Sequence, residues 1–180
     1  MGTPKANLRH QGTPLITRAV RTAFAGGCDH VLAVLGAEVE LARQHAENAG
    51  AVTVVNAAWA DGMGVSLRAG LVAAEQMFPD ASAALVLLVD QPDINAAAVA
   101  AILSAGHDPA VLAAAAYHGR RGHPVLLGRA HWPALRETLV GDVGARAYLE
   151  EHREQLILVP CEALADPRDL DRPEDLDTLG

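Results

Sequence analysis

Asp90 closes the most apolar run in the chain, Ala84-Leu-Val-Leu-Leu-Val-Asp90, and Gln91-Pro92-Asp93 follow it. A carboxylate in a turn at the carboxyl end of a buried strand is placed to hold a hard cation. Such ions take oxygen ligands, often only one or two carboxylates, with substrate phosphates completing the shell. The plainer reading is that Asp90 caps the next helix, as aspartate often does. A second acidic stretch, Asp169-Leu-Asp171-Arg-Pro173-Glu174-Asp175, carries a proline-fixed turn and the acidic residues of a helix start. Spacing alone does not place it beside Asp90. From Asn56 to Gly70 the chain reads Asn56-Ala-Ala-Trp59-Ala-Asp-Gly62-Met-Gly64-Val-Ser66-Leu-Arg68-Ala-Gly70, a strand end, a loop with two glycines and a helix. The glycines permit close backbone approach, and helix-start amides can hold an anionic or polar ligand. Leu67 stands where a dinucleotide fingerprint needs its third glycine, and no acidic residue follows at the right strand end, which argues against a Rossmann NAD site.

Two further segments carry arginine. Gly119-Arg120-Arg121-Gly122-His123-Pro124 lies between two strands, and Gly141-Asp142-Val-Gly144-Ala-Arg146 opens a helix. A guanidinium can grip phosphate with two parallel hydrogen bonds. The plainer readings are a basic hairpin turn and an aspartate N-cap. His123 is a candidate general base among eight histidines. No Ser-His-Asp or Cys-His arrangement follows from the spacings.

The elements that must position these residues alternate. Apolar runs at His30–Leu35, Ala51–Val55, Ala84–Val89, Val111–Ala116, Pro124–Leu127 and Gln155–Val159 read as buried strands. Helical patterns fall at Pro14–Ala25, Val39–Ala49, Met63–Met77, Asn95–Ala105, Trp132–Leu139 and Ala145–His152. Strand, helix, strand repetition predicts an α/β fold with a mostly parallel sheet covered on both faces, three layers in all. Ligands of such sheets bind beyond the carboxyl ends of the strands, where Asp90 and Asn56 fall.

A length of 180 residues suits one domain spanning 1–180. The formal charge of -8 argues against a nucleic-acid partner, which demands clustered Lys and Arg. Cys28 and Cys161 are the only cysteines and have no metal-site spacing, so a reduced compartment is expected. The opening Met1-Gly-Thr-Pro-Lys-Ala has no apolar signal core, and no apolar run is long enough to span a bilayer. A cytoplasmic protein with a small partner and no membrane association is expected.

Pro4-Lys5, Asn56-Ala-Ala-Trp59 with Gly62-Met-Gly64-Val-Ser66-Leu, Leu88-Val-Asp90-Gln-Pro92, Arg121-Gly-His-Pro124, Gly141-Asp-Val-Gly-Ala-Arg146 and Asp171-Arg-Pro-Glu174, in this order, resemble the MobA-like nucleotidyltransferases. Within them the likeness is greatest to the enzymes that add cytidylate to molybdenum cofactors. The resemblance implies a Rossmann-like fold of three layers. It also implies transfer of a nucleoside monophosphate, CMP being expected, from a triphosphate to a phosphorylated acceptor such as the molybdopterin cofactor, with Mg²⁺. By the same resemblance Lys5 would contact the phosphates, and Asn56, Gly62, Gly64 and Ser66 would line the nucleotide pocket. Asp90 and Asp171 would hold the metal, while Arg121, His123, Asp142 and Arg146 would face the acceptor. The resemblance also implies a molybdenum hydroxylase as partner. Ala57 and Arg172 depart from the family's usual Pro and Thr. Relatives open with a strand and a glycine-rich loop ending in Pro-Lys, so the resemblance implies a fold lacking the expected first strand in this sequence, either because the start lies upstream of Met1 or because the protein is without that loop. Two other readings stay open: an NAD(P)H-dependent oxidoreductase of the nicotine-blue type, and a catalytically silent accessory protein of a molybdoenzyme.

Overall fold

The computed structural model describes residues 5–37 and 39–170. A small antiparallel hairpin, β1 (Arg9–His10) with β2 (Thr13–Pro14), leads into α1 (Leu15–Ala25), β3 (Leu32–Leu35), α2 (Val39–Asn48), β4 (Val52–Val55) and α3 (Met63–Met77). Then come β5 (Ala83–Val86), α4 (Ala96–Leu103), β6 (Leu112–Tyr117), β7 (Arg120–Gly128), α5 (Trp132–Thr138), α6 (Arg146–Glu151) and β8 (Leu156–Pro160). Strands β3 and β4 pair in parallel, and β5-β7-β6-β8 form a second sheet.

Within the four-stranded sheet β7 is the reversed strand. It runs antiparallel to β5 and β6, while β6 and β8 are parallel. The cause is local. Only His118 and Gly119 join β6 to β7, with φ of 52° and 75°, and positive φ at both central residues makes the tight hairpin whose twist matches its strands. A two-residue link permits only antiparallel pairing. Alternating residues then feed two cores. Leu112, Ala114, Val125 and Leu127 pack with Leu71 of α3, Trp132 and Leu135 of α5 and Leu149 of α6. Ala113, Ala115, Tyr117 and Leu126 face the other way, onto Ala98 and Ile102 of α4 and Cys161. This two-sided burial explains why β6 is apolar throughout. The helices α1 and α2 cover Leu35 and Ala51 through Ile16, Val20, Ala42 and Ala46.

Two departures from the sequence reading shape the site. The strand expected at Ala84–Val89 ends at Val86. Its register against β7, Ala83 with Gly128 through Val86 with Val125, would next bring Pro124 into the ladder, and proline has no N–H to donate. Asp90 therefore lies in a turn beyond the strand rather than at its last position. Second, β7 reaches back to Arg120 instead of starting at Pro124. Its pairing with β6 slips between Ala114 and Ala116, so that Gly122, His123 and Pro124 lie opposite Ala115. Such a bulge bends the strand and re-aims a side chain.

Candidate active site at the ends of β4 and β5

Lys5 and Asp90 meet: the Lys5 ammonium donates to Asp90 Oδ2 at 2.8 Å, with both side chains partly buried. The turn that carries Asp90 is strapped by the last described residues. Leu170 N–H donates to the Asp90 carbonyl at 2.8 Å. Gln91, nearly buried, donates through Nε2 to Pro167 O at 3.1 Å and to Asp169 Oδ1 at 2.8 Å. With both of its amide protons used, Gln91 Oε1 remains buried without a hydrogen-bond partner. The second acidic stretch is thus brought to Asp90 by backbone and amide contacts, a juxtaposition that spacing could not supply. Asp171 lies outside the described residues. The sequence reading named Asp169 in the second acidic stretch and Gln91 beside Asp90 but gave neither a role of its own, since a glutamine after an aspartate and one acid among several carry no local signal of partnership.

His123, on the bulge of β7, feels the same two carboxylates. Burial pushes its imidazole below the usual range, Asp169 and Asp90 pull it back up, and Arg121 adds to the depression. The ring is therefore held toward its neutral form. Tyr117 donates its hydroxyl to the His123 carbonyl at 2.9 Å, and burial, foremost, pushes that phenol up to about 12, so it remains a donor. Arg121 donates to the Arg146 carbonyl at 3.2 Å, which joins the two arginine segments.

On the neighbouring strand, Asn56 is buried and spends its amide internally. Its Nδ2 donates to Ser66 Oγ at 3.1 Å and its Oδ1 accepts from Ala58 N–H at 3.1 Å. The glycines that follow make a clamp. A Cβ at Gly62 would stand 2.4 Å from the Gly141 carbonyl carbon, and one at Gly64 would stand 2.3 Å from Val143 O. The Gly64 N–H donates to Gly141 O at 2.9 Å and the Met63 N–H to Asp142 Oδ1 at 3.3 Å. The first turn of α3, read from sequence as open to a ligand, is capped by the 141–143 backbone and by Asp142. Asp142 is thereby tied to Met63, whatever it presents to an acceptor.

Asp90, Asp169 and the carbonyl of Gln91 are hard oxygen donors, which fits a hard divalent cation. Among the described residues no three or more His, Cys, Asp or Glu gather into a cage. No helix among the described residues is long and apolar enough to cross a membrane.

Comparison with known proteins identifies relatives along nearly the whole chain. A relative named nicotine blue oxidoreductase, from Paenarthrobacter nicotinovorans, is 34% identical over 96% of this chain and 86% of its own. The crystal structure of a homologue of Mycobacterium tuberculosis Rv0371c from Mycobacterium sp. strain JC1 superposes with a TM-score of 0.82 at 29% identity, covering 99% of this chain and 87% of that one. Rv0371c itself, in complex with manganese, gives a TM-score of 0.78 at 25% identity, over 98% and 90% of the two chains. The model of the MobA-like NTP transferase domain matches residues 1–156. The chain belongs to the MobA-like NTP transferase family and is a nucleotidyltransferase by class.

Proposed function

We propose that the chain transfers a nucleoside monophosphate, CMP, from its triphosphate to a phosphorylated acceptor of the molybdopterin type, releasing pyrophosphate. The observation that carries this reading is the Lys5–Asp90 pair, with Asp169 drawn to the same turn by Gln91. One ammonium beside two carboxylates is a donor set for a metal–triphosphate, in which cation and phosphates share the charge. Asp90, with Asp169 or Asp171, would hold Mg²⁺, which when bound supplies charge neutralisation across the phosphates. An acceptor phosphate oxygen attacks the α-phosphorus as its bond to the bridging oxygen breaks, and the electron pair leaves with pyrophosphate. The chain's share is positioning and electrostatics. Lys5 neutralises phosphate charge, the Asn56–Ser66 pair shapes the nucleotide pocket, and Arg121 with Arg146 faces the acceptor. His123, half-buried and with its imidazole shifted toward the neutral form, orients the acceptor by hydrogen bonding. The setting proposed is the cytoplasm, with delivery of the product to a molybdenum hydroxylase.

Thermal stabilisation by CTP, GTP, ATP, NADH and NADPH, each with and without Mg²⁺, tests the proposal. A triphosphate at a hundred times its dissociation constant adds about 2.7 kcal/mol. The expected result is stabilisation by CTP that requires Mg²⁺ and is lost in Asp90→Ala, accompanied by pyrophosphate release once acceptor is added. The 34% identity to a protein named for an oxidoreductase favours a second reading, reduction of a planar pigment by NAD(P)H. Stabilisation by a reduced nicotinamide cofactor alone, indifferent to Mg²⁺, would decide for it.

A further inference from the structure

The loop after β4 shows the solvent an apolar lip. Trp59 is 49% exposed, and Met63, Val140 and Val143 are comparably open. These four residues come from two segments that the glycine clamp locks together, and Met63 Cε lies 3.5 Å from where a Cβ on Gly144 would stand. The indole of Trp59 is seated rather than loose. A Cβ at Gly36, just past β3, would stand 2.5 Å from Trp59 Cβ and 2.6 Å from its Cγ, so the absence of a side chain at Gly36 makes the seat. Trp59 N–H donates to the carbonyl of Asn56, whose side chain holds Ser66. The lip is thereby continuous with the Asn56–Ser66 pair. The neighbouring helix start offers little to an anion, because Gly141 O and Asp142 Oδ1 already occupy its first amides. What this edge presents is an aromatic ring fixed by its seat on Gly36.

We infer that Trp59, seated on Gly36 and half-exposed at the end of β4, is a stacking platform for a planar heteroaromatic ring carried by a substrate. The inference rests on the nucleotidyltransferase reading for its choice of ligands. The ring is either the base of the nucleotide or the ring system of the acceptor, and the two share the same chemistry. A half-exposed tryptophan in a fixed orientation gains by offset stacking and loses little conformational freedom on binding. Base–aromatic stacking is also tolerant of ring identity, so the platform holds a ring and leaves discrimination to polar neighbours.

The test uses the chain's own fluorescence. It has two tryptophans, and Trp132 is fully buried, so emission open to iodide belongs to Trp59. CTP, GTP, neopterin and inorganic tripolyphosphate are titrated with Mg²⁺ while iodide access and thermal shift are read together. Ring-bearing ligands should shield Trp59, and tripolyphosphate should bind without shielding it. Shielding by the nucleotides assigns the platform to the base, and shielding by neopterin alone assigns it to the acceptor. In Trp59→Leu the affinity for the shielding ligand should fall about tenfold or more, with tripolyphosphate binding unchanged. Gly36→Ala, which unseats the indole, should give the same loss with Trp59 still present. If no ring-bearing ligand shields Trp59 at millimolar concentration, or if tripolyphosphate shields it equally, the platform is refuted. The thermal shifts judge the nucleotidyltransferase reading separately.

Discussion

Lys5 and Asp90 are separated by 85 positions yet form an ion pair, which on the proposed function serves the reaction more than the fold. Each side chain keeps part of its surface in water, so the pair contributes only about 0–1 kcal/mol to the fold. In a desolvated reaction complex the same charges are worth more. Asp90→Asn should leave the urea midpoint almost unmoved while lowering kcat by about 10²–10³, roughly 3–4 kcal/mol, as measured by pyrophosphate release. His123 gives the opposite signature. Its folded value lies below the ordinary 6.5, so the unfolded chain binds more protons in the window beneath 6.5. Its contribution to stability is complete above that pH and is lost as pH falls toward the folded value. Urea midpoints on either side of 6.5 should therefore differ more in the native chain than in His123→Gln. Asp90 was legible in the sequence because it follows a buried run into a turn. Asp169 was not, because its relation to Asp90 exists only through the Gln91 amide and the strap at Leu170.

At the scale of elements, the glycines of α3 separate packing from propensity. Gly64→Ala would drive a Cβ against backbone on the facing loop, Val143 O at 2.3 Å and Gly141 O at 2.9 Å, and neither atom can rotate away. The expected loss is about 1–3 kcal/mol in chemical denaturation, with faster hydrogen exchange at the Gly64 amide as the clamp opens. Gly70→Ala, on the same helix, meets only the Val34 Cγ2 methyl at 3.0 Å, a side-chain atom that can yield. There the helix-propensity gain of alanine, about 1 kcal/mol, offsets the contact. The helix Met63–Met77 was read from sequence with the bounds it has in the structure, because a glycine pair starts it and its apolar spacing persists to the end. The strand β7 was read too short. Arg120 and Arg121 look like a turn to any pattern based on hydropathy, yet they pair with Tyr117 and Ala116 through backbone hydrogen bonds that ignore side-chain character. The β1–β2 hairpin escaped notice because two-residue strands have no period to detect.

For the molecule as a whole, the layered arrangement follows from strands that are apolar on both faces, and this was the most legible feature. The reversal of β7 was open only as one of two readings, a basic hairpin turn, since it hangs on two turn residues with positive φ. A thiol is buried just past the edge strand β8. Cys161 is fully buried against α4, its N–H donates to Ala116 O at 2.9 Å, and burial, ahead of the nearby Glu162, raises its thiol above the ordinary range. Cys28, less deeply placed, is raised for the same first reason, with Asp29 adding to it. Neither sulfur is an eager nucleophile at neutral pH, but only Cys161 must wait for the layers to part before a reagent can reach it. Its alkylation is therefore a clock that ticks once per opening of the packing around β8 and α4. Any substrate that binds the closed form slows that clock by one plus the ratio of its free concentration to its dissociation constant, about a hundredfold at a hundred times Kd. Mass spectrometry of Cys161 alkylation, followed against Cys28 as an internal standard, should then rank triphosphates, nicotinamide cofactors and acceptors in one pot, with no turnover required.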